Sequence, residues 1–249
     1  MENLNAWSFL TNGFFVVSWY SAGLILAIWV LYDVYYVNTA VSKPLKTAFP
    51  IIIIFFSIIG LLMYLVTCRP KKMPLLKPKI STEDFEAKYH SKYVSNTFSK
   101  VTGSVMHCTA GDGLGILTAM VVGTYIGLGF WNEFIAEYII GFLFGWLLFQ
   151  YPAMRAMGLS SSDALWKGGR AEFFSMITMM GGMLFTMLVI IPHVLSSMPM
   201  PMTSMDMPMP MPDTYAFWGV AWFGLLIGTI VTYPMNWWLV SIGWKHGMQ

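Results

Sequence analysis

Apolar positions in this chain gather into six long blocks, 14–36, 49–68, 101–130, 134–151, 171–195 and 215–240. They do not show the strict alternation or one-faced periodicity of soluble strands and helices. About 20 mostly apolar residues make a helix long enough to cross the ~30 Å hydrocarbon core of a bilayer. The blocks therefore predict an all-α polytopic membrane bundle of about six transmembrane helices. No basic residue precedes the first block, which is also long for the apolar stretch of a cleavable signal, so it is expected to remain as a permanent helix. Polar stretches divide the chain into an N-terminal two-helix segment (1–68), a basic loop (69–100) and a four-helix core (101–249) carrying a second loop at 196–213. No internal repeat is visible.

Composition agrees with the pattern and removes other classes. Hydrophobic residues make up 57% of the 249, charged residues 10%, and the mean hydropathy is +0.62; soluble domains carry about 25% charged residues. Two cysteines are too few for a disulfide scaffold, and a net charge of +2 gives no footprint for nucleic acid. The expected surroundings are a lipid bilayer.

The basic residues then orient the spans. Arg69, Lys71, Lys72, Lys77, Lys79, Lys88, Lys92 and Lys100 crowd the loop between the second and third blocks, which the positive-inside rule makes cytoplasmic. With six straight crossings, Arg155, Lys167, Arg170 and Lys245 join them, only Lys43 and Lys46 fall outside, and both termini are cytoplasmic. Within this loop, Ser81, Thr82, Glu83 and Asp84 resemble a helix start and Phe85, Tyr89 and Tyr93 follow. That combination suits either an interfacial lipid-binding helix or a solvated topogenic loop.

The second loop has its own chemistry. Met198, Met200, Met202, Met205, Met207, Met209 and Met211 alternate with proline and small polar residues. Proline bars helix and central strand here, and thioethers are soft ligands suited to Cu(I). His193, Asp206 and Asp213 lie close by in sequence. The alternative is a low-complexity linker.

Ionisable groups inside spans cost about 2.5–3.5 kcal/mol at a helix centre, so each one suggests a function. Asp33, Glu133 and Glu137 are expected toward the outside. His107, Cys108, Asp112, Gln150, Glu172, Ser175 and Asn236 are expected toward the cytoplasmic half. Cys108 and Asp112 are four apart and share a helical face, with His107 beside them; imidazole, thiolate and carboxylate together form a first-row metal ligand set. Glu172 enters from the same side and can complete that set, compensate His107 or support its helix dipole. Met176, Met179, Met180, Met183 and Met187 recur at helical spacing from Glu172 toward the Met-Pro loop, as core packing or as exchangeable thioether sites. Glu133 and Glu137 share a face as an outer cation pair, or Glu137 stands as a lone titrating carboxylate.

An ordered set of motifs goes further. His107-Cys108-Thr-Ala-Gly111, Ala136-Glu137-Tyr138 with Phe149-Gln150-Tyr151, Ala171-Glu172-x-x-Ser175 and Tyr233-Pro234-Met235-Asn236-Trp237-Trp238-Leu239 together resemble an uncharacterised prokaryotic membrane family, domain of unknown function four-three-nine-six. The resemblance covers roughly 100–248 and implies metal handling, the family being loosely described as copper-associated. The leading expectation is a protein that binds or moves a soft transition metal, most of all copper. His107, Cys108, Asp112 and Glu172 form its inner site, Met176 and Met183 offer intermediate sites, and the Met-Pro loop captures the ion. Glu137, Gln150 and Asn236 are further polar candidates. The alternatives are a structural or assembly subunit of a larger membrane metalloprotein complex, a homo-oligomer included, and an intramembrane metal-dependent oxidoreductase.

Overall fold

A computed structural model describes residues 7–71, 73–76, 84, 96–192 and 210–248. Among them are six helices long and apolar enough to cross a membrane: α1 (Gly13–Val37), α2 (Lys43–Thr67), α3 (Thr97–Ile126), α4 (Phe130–Ala156), α5 (Ser161–Ile190) and α6 (Tyr215–Ser241). The helix starts carry their own signals. Asn12, Asn96, Ser160 and Thr214 each accept a backbone N–H of the first turn, and Gly127 closes α3 in the left-handed conformation at φ 71°. Helices α3 to α6 form an antiparallel set. Glycines let α3 and α4 approach closely: Gly115 lies directly against the Ile140 carbonyl and Gly141, and Gly111 against Phe149 and Gly145. Met179 and Met183 pack on Gly228 of α6, and Met187 packs with Ile191 and Val220. Most of the methionine stripe is thus apolar core.

The second helix departs from a straight crossing. Ser57 takes φ 46° and ψ −121°, and the chain reverses there. Gly60 consequently lies against the Ile52 carbonyl and Ile53, and the Phe49 and Tyr64 rings meet edge-on at 5.2 Å. At 1.5 Å per residue the arms 43–56 and 58–67 reach only ~21 and ~15 Å. The helix is a re-entrant hairpin with both ends at one end of the bundle. Its first arm runs parallel to α3, with Leu45 beside Gly103 and Phe55 beside Gly113. Non-helical backbone at such depth persists only when buried in protein, and Phe55, Phe56, Ser57 and Gly60 are buried.

A buried network fastens the hairpin at its open end. Asp33, in a π-helical turn that ends α1, accepts from Tyr64 Oη at 2.5 Å and from Arg69 Nε at 3.0 Å. Asn38 donates to Tyr64 Oη at 3.0 Å and to the Cys68 carbonyl at 2.9 Å.

This reversal corrects three expectations. Lys43, Lys46 and Asp33 stand at the same end as Arg69 and Lys100, not opposite them. The start of α1 lies with the start of α6, since Gly13 meets Tyr215 and Gly219 meets the Leu10 carbonyl. The C-terminal segment lies at the other end, where Met248 N–H donates to the Lys100 carbonyl at 3.0 Å. The first and last described residues, 7 and 248, are therefore at opposite ends of the bundle. An even number of straight crossings had placed them together, and folding α2 back removes one crossing. The other expected elements in 77–83, 85–95 and 193–209, including the interfacial helix, His193, Asp206 and the methionines from Met198 to Met209, lie outside the described residues. Of that loop, Met211 and Asp213 are described, and both are exposed.

Candidate functional site

Cys108 and Asp112 of α3 point into the interface with α4 and α5, as their spacing predicts. What they meet there comes from three other elements. Cys108 Sγ donates to Glu172 Oε2 of α5 at 3.1 Å and lies 3.8 Å from Gln150 Oε1 of α4. The α4 contribution depends on a local irregularity: the helix widens into a π-helical turn at Phe144–Gln150, a distortion often found at functional sites. This turn carries Gly145 and Gln150. A Cβ at Gly145 would fall onto Asp112 Oδ1 and lie 2.7 Å from Glu172 Oε1, so both carboxyl groups crowd one notch that only glycine leaves open. They are well inside the ~4–6 Å over which charges act strongly on one another.

The fifth member, Lys245, comes from beyond α6. Gly243, at φ 72°, ends that helix, and the N–H groups of Trp244 and Lys245 bond back to the Leu239 carbonyl. The reversal drives the Lys245 side chain into the bundle, where it is fully buried. Its ammonium stands 3.9 Å from Glu172 Oε2 and donates to Ser175 Oγ at 3.3 Å and to Asn236 Oδ1. Asn236 donates in turn to Ser175 Oγ at 2.8 Å and the Thr232 carbonyl at 3.0 Å, which fixes its oxygen toward the lysine. Burial alone would lower the Lys245 pKa; the acidic groups of Cys108, Glu172 and Asp112 outweigh it and raise the value above the ordinary one.

The charges do not balance. Among the described residues one ammonium faces two carboxyl groups and a thiol, and Asp112 has no ion-pair partner. Asp112 Oδ1, Asp112 Oδ2, Glu172 Oε1 and Gln150 Nε2 are buried without hydrogen-bond partners. Buried polar atoms are normally satisfied, so three orphaned carboxylate oxygens around one notch mark a place that takes a proton or another cation; the Gln150 amide nitrogen is a donor and has no part in that. No three of His, Cys, Asp and Glu stand ready-arranged for a metal among the described residues; the ammonium of Lys245 lies among the donors instead.

The remaining candidates are placed as follows. His107 packs its ring edge-on against Phe149 at 5.3 Å, with Nδ1 unpartnered. Met176 is buried one turn beyond Glu172 and touches the Gly141 position, nearest of the stripe to the notch. Met183 faces α6. Glu133, Glu137, Gly141 and Gly145 form the buried line of α4, so Glu137, with both oxygens unpartnered, stands on the same stripe as the notch. Glu133 accepts from Thr124 at 3.0 Å. Lys245, Ser175 and Gly145 were absent from the sequence-derived site. The one signal for Lys245 is a glycine and a lysine directly after the last apolar block.

Residues 97–245 match a family described as a domain of unknown function (DUF4396), and the chain belongs to that family. The matched stretch holds the whole cluster from Cys108 to Lys245 and leaves α1 and the hairpin outside it. No curated protein matches the chain, and neither does any solved structure.

Proposed function

We propose that this member of the family binds a thiophilic transition-metal cation, copper first, at Cys108, Asp112 and Glu172 as a step in its passage through the membrane. The observation that carries the reading is the Asp112 and Glu172 pair, which one ammonium only half compensates, its orphaned oxygens gathered with a thiol at the Gly145 notch. Sulfur donors favour Cu(I) and Zn(II) over Mg(II) and Ca(II), and two carboxylates supply the negative charge that a cation needs in a dry interior. Met176 offers a thioether beside the notch. Toward the Met-Pro loop, Glu137 and Glu133 continue the buried line of α4 and give a cation two further stops. All described lysines and arginines lie in the half of the bundle opposite that loop, which makes the loop end extracytoplasmic by the positive-inside rule. With no nucleotide-binding motif in this sequence, movement is passive, ion-coupled or dependent on a partner. Binding through Cys108 releases its thiol proton, so uptake acidifies the medium.

The test is metal analysis and titration of the purified protein with Ag(I), as a Cu(I) surrogate, and with Zn(II). Wild type is expected to take up about one equivalent at this site, with release of acid. Cys108→Ser and Asp112→Asn should lose it. Wild-type protein that binds neither ion, or variants that bind as wild type does, would overturn the reading.

A further inference from the structure

Resting on that reading, the geometry points to Lys245 as a tethered cation: the C-terminal segment closes the metal site with its own ammonium, and an incoming ion binds by displacing it.

The position of the ammonium is the first argument. Lys245 Nζ faces Glu172 Oε2, the atom to which Cys108 donates, so it occupies the shell that a metal bound to Cys108 and Glu172 would claim. The oxygens of Asn236 and Ser175 take two of the ammonium's three N–H bonds, and its charge faces Glu172. Two like charges cannot share that space in a low-dielectric interior, so lysine and metal exclude each other.

The second argument is how Lys245 is delivered. It does not belong to a membrane-spanning helix. It sits in a short tail after the left-handed Gly243, beyond the end of α6. The tail is anchored on both sides of Lys245, Trp244 packing on the Phe174 and Trp238 rings and Met248 lying in the main core against Gly103, so the lysine leaves by swinging its own side chain while the backbone around it stays packed. Met248 N–H bonds to the Lys100 carbonyl, the Arg170 guanidinium lies 3.8 Å over the Trp244 ring, and Gly247 rests on the Lys100 side chain. A cavity of about 510 Å³ between the starts of α2 and α3 and the end of α4 is lined in part by Lys100, Gly247 and Met248.

The third argument is charge. A fixed lysine would be expected to neutralise its site fully, yet Asp112 is left over. The surplus acid keeps the cluster attractive to a cation, and the Cys108 sulfur, a soft ligand that bonds Cu(I) or Ag(I) and not an ammonium, gives the metal its advantage over Lys245.

Two measurements on full-length protein in detergent test this. In the first, acetylation of Lys245 by an N-hydroxysuccinimide ester is followed by mass spectrometry with and without saturating Ag(I). A buried ammonium reacts slowly, and Ag(I) is expected to speed modification of wild type at least tenfold while leaving Cys108→Ser unchanged. In the second, Lys245→Gln, which keeps a donor for Asn236, is expected to bind Ag(I) at least tenfold more tightly than wild type, whereas Lys245→Arg binds no more tightly. The tether is refuted if wild type binds Ag(I) through Cys108 but Lys245 reactivity does not change. It is equally refuted if Lys245→Gln, eluting as folded protein, binds no better. Absence of binding in wild type and Lys245→Gln alike removes the metal reading itself, and the tether with it.

Discussion

The reversal at Ser57 makes a prediction about sidedness that can be worked out in ångströms. As one straight helix, α2 would be about 37 Å long, ample for a ~30 Å core, and would put Lys43 and Lys71 on opposite faces of the membrane. Folded, its arms reach ~21 and ~15 Å, neither crosses, and both lysines emerge on one face. Straightening would also carry Tyr64 and Arg69 away from Asp33. Removing one partner of a buried ion pair costs about 3–5 kcal/mol, enough to shift the folded and straight forms by more than a hundredfold. The assay is cysteine accessibility in a Cys68→Ser, Cys108→Ser background, with Lys43→Cys, Lys71→Cys and Asp213→Cys introduced singly. A membrane-impermeant maleimide is applied to right-side-out and to inverted vesicles. Lys43→Cys and Lys71→Cys should label from the same side and Asp213→Cys from the other. Labelling of positions 43 and 71 from opposite sides would refute the hairpin and with it the opposite placement of the first and last described residues.

Two further outcomes follow from particular residues. Glu172→Gln removes the carboxylate that faces Lys245 but leaves Asp112 as its counter-charge, so it should cost less in chemical unfolding than Glu172→Gln combined with Asp112→Asn, which strands the buried ammonium and should lose about 3–5 kcal/mol; equal losses in the two would show that charge balance at the cluster is not what matters. Ser57→Gly should stabilise the fold by about 1 kcal/mol, since a left-handed backbone costs a non-glycine residue roughly 1–2 kcal/mol, read as a raised unfolding midpoint.

The apolar blocks were legible because crossing a bilayer demands length and hydrophobicity, and both are local properties of sequence. Their direction was not. Hydropathy is the same for a helix that crosses and one that doubles back, and Ser57 is neither glycine nor proline. Lys43 and Lys46 held the only hint, as the two basic residues that six straight crossings left on the wrong side; the hairpin brings them back to the basic end. At the site, Cys108 and Asp112 could be paired by their spacing on one helix, and Glu172 could be guessed from its depth. His107 was grouped with them because it is adjacent in sequence, but neighbours on a helix point about 100° apart, and its ring went to Phe149. Lys245 was hidden because its burial depends on a turn at Gly243 and on an opening between helices that exists only once α3, α5 and α6 are packed.

The hairpin also sets an order of events during synthesis. Once reversed, neither arm spans the bilayer, and the tip is buried against Gly113 of α3 and the Trp19 side chain of α1, whose Nε1 donates to the Phe55 carbonyl at 3.0 Å. Only one of those two walls has been made when residue 57 emerges. The segment must wait at the membrane surface, or lie misinserted, until at least α3 is in place. The hairpin, which precedes the family match, thus folds on a core translated after it. A ribosome stalled before α3 would hold a hairpin with nowhere to go.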